Sequence, residues 1–269
     1  MVGLVAKRCF EGFLHTSRPD FKSLYGINRL DFVSRTNLGF GALWPDDTGP
    51  PPAAWYDATA AAYTNATNHL LLDIESWPNT TQAERIATAA KFVTVYQEMK
   101  RRRSDLTIGF YAYTPIRDFF RATEIVDEKA AWQAGNDDMA AMYAVVDFFA
   151  PSLYFFYTRS QGGQSATNVD SAHEYFHENL VELKRCRTAY GRNQPIYPYV
   201  WYRRHDELAD LDMDVWIDMC RTAYLEGDGL ILWGGWQEVW SDAAWWWRNF
   251  LASFPFGDRT VLKPRAVRV

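Results

Sequence analysis

The sequence predicts an α/β fold, a distorted TIM-like (β/α) barrel with about seven parallel strands. Three observations carry that expectation. Short apolar runs rich in β-branched and aromatic residues alternate with longer stretches of helical periodicity. Strand–helix repetition implies parallel strands with helices outside. The 269 residues suit one barrel of about 250 residues, and no Pro/Gly/Ser-rich linker divides the chain.

The elements follow in order. Strands are expected near 5–13, 37–44, 69–75, 107–113, 146–156, 195–202 and 229–233. Thr81-Gln-Ala-Glu84 is a capping box: the Thr side chain accepts an amide and the Glu reaches back. Ile86, Ala89, Ala90, Val93 and Tyr96 then recur at helical spacing. Thr167-Asn-Val-Asp170 opens a second helix, with Val169, Ala172, Phe176, Leu180 and Leu183 as its apolar stripe. Further helices fit 53–67, 129–144, 211–226 and 242–253. The division that results is one barrel domain over 1–257 and a basic tail over 258–269.

Composition narrows the function. With 48% apolar and 23% charged residues the chain reads as globular, not disordered. A net charge of −5 argues against nucleic acid as a partner. The basic run Lys100-Arg-Arg-Arg103 sits where a helix ends and complements its C-terminus. Cys9, Cys186 and Cys220 are scattered and odd in number, so they read as free thiols. The opening Met-Val-Gly-Leu-Val-Ala-Lys-Arg lacks a long apolar stretch. Together these features suggest cytoplasmic synthesis, with later release or inclusion in a larger particle left open. In that setting the sequons at Asn65 and Asn79 read as chance matches. No segment reaches the ~18 apolar residues needed to span a bilayer, so no membrane partner is expected. Oligomeric state is not legible.

The chemistry concentrates on His69-Leu-Leu-Leu-Asp-Ile-Glu75. Alternate strand residues share a face, so Leu71, Asp73 and Glu75 point one way and Leu70, Leu72 and Ile74 the other. Two carboxylates about 6.5–7 Å apart at a strand's C-terminal end occupy the place where barrel chemistry sits. Burying both is costly unless one stays protonated. A neutral Glu75 is what a general acid needs, with Asp73 as its partner. The alternative is structural: the two acids cap the next helix or pair with arginine.

Other strand ends add neighbours. Ser152, Tyr154 and Phe156 share a face, as do Tyr111 and Tyr113. Tyr197, Tyr199 and Trp201 alternate along the sixth strand, and Trp233 ends the seventh. Aromatic rings stack on sugar faces and phenols hydrogen-bond, so this lining suits a carbohydrate cleft.

These segments, in this order, resemble the hyaluronidase family of glycoside hydrolases, of bee-venom and mammalian type. Leu72-Asp-Ile-Glu-Ser-Trp77, Ile108-Gly-Phe-Tyr-Ala-Tyr113, Ala150-Pro-Ser-Leu-Tyr154, Pro198-Tyr-Val-Trp-Tyr202 and Gly227-Asp-Gly-Leu-Ile-Leu-Trp-Gly234 are each similar to a family segment. The likeness spans roughly 36–250. It implies substrate-assisted, retaining hydrolysis of an N-acetylhexosamine-containing polysaccharide such as hyaluronan or chondroitin, an exception to the two-carboxylate scheme. On that reading Glu75 is the acid/base, and Asp73 and Tyr154 hold and polarise the acetamide. Trp233 packs behind it, and Ser152, Tyr111, Tyr199 and Trp201 line the cleft. Where the family carries a substrate-binding Tyr, this chain reads Thr114-Pro-Ile-Arg-Asp118, so Tyr113 or Arg117 takes that role. An anionic polymer also calls for a basic rim, which Arg117, Arg159, Arg203, Arg204 and His205 can supply. No cofactor or metal is implied.

Two other readings remain. His173-Glu-Tyr-Phe-His177 matches the His-Glu-x-x-His pattern of zinc peptidases, with Glu174 as base. Leu180 stands where the longer metzincin pattern has Gly, and the histidines flank the helix's apolar stripe. The third reading is a non-catalytic glycan-binding or structural barrel of a larger assembly.

Overall fold

The computed structural model describes residues 7–34, 40–63, 67–123, 126–155, 169–205, 207–235 and 238–254. Its strands are β1 (Arg8–Glu11), β2 (Asn28–Arg29), β3 (Asp31–Ser34), β4 (His69–Asp73), β5 (Thr107–Phe110), β6 (Tyr199–Trp201) and β7 (Gly229–Trp233). They form two sheets, ordered β2-β1-β7-β6 and β3-β4-β5, and every pairing is parallel. The α/β architecture with parallel strands is therefore as expected. The first four residues of β4 are buried, as an unbroken His-Leu-Leu-Leu run covered on both faces should be. Only Leu30 separates β2 from β3. Between β5 and β6 the pairing passes through isolated bridges, Tyr111 to Ala150 and Ser152 to Tyr199. Among the described residues the regular ladders thus make two arcs instead of one continuous ring.

The strand assignment needs two corrections. The strand expected over 37–44 is not there: Phe40–Leu43 is a short helix, α2, and 37–39 lie outside the described residues. The chain instead pairs at β2 and β3, where the sequence offers polar residues at alternate positions and no apolar run. Those polar groups are consumed in place. Arg29 donates to Glu11 at 2.8 Å and to Asp31 at 3.0 Å. Glu11, almost wholly buried, also holds Arg18 at 2.7 Å. The second correction concerns 146–156, whose described part makes bridges but no ladder. Pro151 lacks the amide a ladder needs, though its carbonyl still accepts from Tyr199 at 2.8 Å.

The helices are α1 (Phe21–Tyr25), α2, α3 (Ala53–Ala62), α4 (Gln82–Arg102), α5 (Phe119–Thr123), α6 (Val126–Asp137), α7 (Ala140–Val145), α8 (Val169–Tyr190), α9 (Met213–Glu226) and α10 (Trp245–Ser253). The capping box of α4 is present: Glu84 N donates to Thr81 Oγ1 at 3.2 Å, and Thr81 N to Glu84 Oε2 at 2.8 Å. Its buried face is Thr88, Ala89, Phe92, Val95 and Met99, which shares only Ala89 with the expected stripe, and Ile86 is exposed. Phe92 decides the rotation, since it packs on Trp77, Phe110 and Tyr113. The basic run at the end of α4 is occupied: Lys100 pairs with Asp147, Arg101 and Arg102 with Glu98, and Arg103 with Asp105. The expected 129–144 helix divides into α6 and α7. Near the division the buried Asn136 serves Ile116 N and Glu182. On α8, Phe176, Leu180 and Leu183 are fully buried, while its expected cap at 167–168 and the basic tail lie outside the described residues. All three cysteines are buried free thiols.

Candidate active site

The C-terminal end of β4 and the segment after β5 build the site together. Ala112 takes a left-handed backbone (φ 64°), which costs a non-glycine residue roughly 1–2 kcal/mol. The turn is nonetheless tied down. Arg117 N donates to Ala112 O at 3.0 Å, and Ile116 N to Asn136 Oδ1 at 2.9 Å. Trp132 Nε1 donates to Ile116 O at 2.8 Å, and Tyr113 Oη to Trp77 O at 2.7 Å. The chain is thereby brought back so that Arg117 Nη1 stands 3.0 Å from Glu75 Oε1. A small recess at this point is lined by Glu75, Asn79, Ala112, Tyr113 and Arg117.

The two acids differ sharply. Glu75 lies past the strand end, 41% exposed at its side chain. Asp73 ends the strand facing inward; its Oδ1 is sealed from solvent and receives no hydrogen bond among the described residues. Burial chiefly, and then the charge of Glu75, push the Asp73 carboxyl up to about 7, against the pull of Arg117. The sequence placed the reluctant carboxyl at Glu75. The structure puts the enclosed one at Asp73 and gives Glu75 a cationic partner.

An aromatic wall stands across from these acids. Tyr199 lies 5.5 Å from Tyr111, 5.6 Å from Trp233 and 6.1 Å from Tyr154, centroid to centroid. Trp201 packs on Tyr154 at 5.6 Å, and Tyr111 Oη meets Ser152 Oγ at 2.9 Å. Tyr199 Oη is buried with no hydrogen-bond partner among the described residues. The hydroxyls of Tyr111, Tyr154 and Tyr199 all resist ionisation, burial being the main cause. Residues from β6, β7, the position after β5 and the 150–155 segment are thus gathered at one end of the strands. Tyr113 stands apart from this wall, in the recess beside Glu75.

Sequence reading missed three contributors. Phe32 on β3 packs against Trp233 at 4.8 Å and went unnoticed with its strand. His205 stacks on Tyr154 at 6.0 Å, though it was read only as a rim cation. Asn79 was read only as a sequon. Among the expected rim cations, Arg203 is engaged with Asp210 and Glu238. Arg204 lies over the Phe155 ring at 4.4 Å, and Arg159 falls outside the described residues.

The His-Glu-x-x-His segment sits on the outer helix α8. His173 Nε2 is 2.8 Å from Asp218, and His177 Nδ1 is 3.3 Å from Glu226, so each histidine turns to its own acid on α9. No cluster of three or more His, Cys, Asp or Glu residues suited to a metal occurs among the described residues.

No family model and no curated protein sequence matches the chain. Solved structures do. A bee venom hyaluronidase is similar in fold at 15% identity and a TM-score of 0.58, over 85% of this chain and 91% of that one. Bee venom hyaluronidase in complex with a hyaluronic acid tetramer aligns at 18% identity and a TM-score of 0.49, over 61% of this chain and 60% of that one. A GH18 chitinase from Pseudoalteromonas aurantia aligns at 14% identity and a TM-score of 0.49, over 85% and 77%. At these identities the likeness is one of fold.

Proposed function

We propose that the protein is a glycoside hydrolase that cleaves an N-acetylhexosamine-containing polysaccharide, hyaluronan- or chondroitin-like, within a distorted barrel closed through the 149–152 segment. One observation carries the reading. Asp73 presents a sealed carboxyl oxygen without a partner, beside an accessible Glu75 and opposite a wall of tyrosine and tryptophan. The fold shared with a bee venom hyaluronidase is compatible with it.

The chemistry follows from those positions. The acetamide carbonyl oxygen of the bound sugar attacks the anomeric carbon while the glycosidic bond breaks, and Glu75 gives its proton to the leaving oxygen. A cationic ring results, with its N–H toward Asp73. Burial makes the Asp73 anion costly in the free site, so a cation forming beside it supplies the missing partner and favours the transition state. Tyr154 polarises the acetamide, Trp233 packs behind it, and Ser152 holds Tyr111 in place. Water then adds to the anomeric carbon, returns a proton to Glu75 and restores the acetamide. Configuration is retained. Glu75→Gln is expected to abolish release of reducing ends while folding and glycan binding persist. Normal turnover in that variant would end the proposal.

The pairing of Glu75 with Arg117 favours one competing reading, a glycan-binding barrel whose acid serves only to fix the loop. It predicts binding without release of reducing ends across hyaluronan, chondroitin and bacterial capsule polymers.

A further inference from the structure

The hydrolase reading leaves Glu75 with a difficulty. An ion pair on one carboxyl oxygen restrains the whole carboxyl, so the other oxygen cannot swing freely onto a glycosidic oxygen while the pair is made. Arg117 occupies Oε1 in that way at 3.0 Å. The contact is no accident of a swinging surface side chain. The loop that carries Arg117 is anchored at Ala112 O, Asn136 and Trp132, and the Arg117 side chain is two-thirds covered.

We propose that Arg117 is a substrate-operated latch: a carboxylate on the polymer draws the guanidinium away from Glu75, so that an anionic sugar chain releases the acid that cleaves it. The inference rests on the hydrolase reading and adds a regulation of that same site.

Three observations support it. Among the described residues, Arg117 is the cation beside both acids. Asp73 is faced by Glu75 and Arg117, and by Tyr154 and Tyr199 from the opposite wall. Glu75 is faced by Arg117 and by Tyr111 and Tyr113. The recess at Arg117 opens to solvent, where a sugar carboxylate can reach it. Among the described rim cations, Arg203 is spanned by two acids and Arg204 is set over an aromatic ring, whereas Arg117 stands against the proposed acid itself. The exchange itself is nearly balanced, because one carboxylate replaces another on a fork suited to both. A neutral sugar has to break the pair without replacing it. The latch therefore selects in the chemical step as well as in binding.

The test is a binding cycle with D-glucuronate as probe and N-acetylglucosamine as the neutral control, read by calorimetry or NMR titration. Purified wild-type protein, Glu75→Gln, Arg117→Gln and the double variant are compared. Glu75→Gln removes the anion that competes with a sugar carboxylate for Arg117, so it is expected to bind glucuronate about three- to tenfold more tightly. That gain should vanish in the Arg117→Gln background, and N-acetylglucosamine affinity should change little throughout. Equal affinities in wild type and Glu75→Gln, or a gain that survives without Arg117, would overturn the latch. Turnover gives the second arm. Arg117→Gln should lower kcat/KM on a uronate-containing polymer relative to a neutral N-acetylhexosamine oligomer by at least about tenfold. An equal loss on both would mean a merely structural role and overturn it too. If wild type cleaves no glycan yet the binding cycle holds, the hydrolase reading falls and the Arg117–Glu75 exchange stands.

Discussion

Glu11 Oε2 on β1 accepts from Arg29 Nη1 on β2 at 2.8 Å, at the one-residue break between β2 and β3. Arg18 holds the other side of the same carboxylate at 2.7 Å, and Phe13 N donates to it at 3.2 Å. Charge thus bridges a seam where the ladder is interrupted. Burial pushes the Glu11 carboxyl up, and the two arginines pull it back.

Glu11→Ala would take the shared acceptor from Arg18 and Arg29 and leave a buried gap, with Asp31 and Phe13 O still holding Arg29. Breaking a fully buried pair costs about 3–5 kcal/mol; with both arginines partly exposed the loss should fall below that and appear as a lower denaturation midpoint in urea. Glu11→Gln keeps an acceptor and should lose less. A Glu11→Ala protein as stable as wild type would show that the seam holds without these charges.

On β5, Gly109 is required by a neighbour. A Cβ there would stand 2.5 Å from the Phe148 ring, and Phe148 is fully buried. Gly109→Ala should therefore destabilise by about 1–3 kcal/mol through overpacking. Phe148→Leu should recover part of that loss in the double variant, a coupling measurable by a thermodynamic cycle. Strict additivity would rule the contact out as the cause.

The positions of the candidate site were more legible than the frame that holds them. Leu70 to Asp73, Thr107 to Phe110 and Gly229 to Trp233 announced their strands because each carries an apolar run bounded by a break. Their C-terminal residues led directly to Asp73, Glu75, Tyr111 and Trp233. Asn28 to Ser34 gave no such signal, because Arg29 and Asp31 are neutralised by partners distant in sequence or by each other. Phe32 was lost with that strand. Which carboxyl is enclosed was equally out of reach: strand alternation puts Asp73 and Glu75 on one face but says nothing of where the strand ends. Arg117 was read as a substrate contact, and its pairing with Glu75 depends on the turn at Ala112.

Phe32 offers a test of the wall that the sequence did not suggest. Its ring packs on Trp233 at 4.8 Å and near Tyr199 at 6.3 Å while part of it stays exposed. Phe32→Ala should weaken glycan binding by about threefold to tenfold, from the loss of about 0.5–1.5 kcal/mol of ring contact. It should raise KM more than it lowers kcat. A kcat effect alone would place Phe32 outside the binding surface.

Asp73 makes the sharpest forecast. Its carboxyl is raised from 3.8 to about 7, by burial first and by Glu75 second. The folded protein therefore holds this proton more tightly than the unfolded chain does. Below about pH 4 both states carry it, and its contribution to stability is complete. As pH rises from there the unfolded chain releases the proton while the folded one keeps it, so stability declines until Asp73 itself ionises near 7. Asp73→Asn keeps a neutral group of the same shape and escapes that decline. Thermal unfolding of the two proteins should give curves that nearly coincide near pH 4. They should separate with rising pH, the Asn variant gaining at most about 4 kcal/mol over wild type by pH 8. Arg117→Gln removes the pull that opposes the shift, so the separation in that background should widen. Parallel curves from pH 4 to pH 8 would mean that Asp73 ionises as freely as in the unfolded chain, and the enclosed carboxyl on which the proposed chemistry depends would be lost with it.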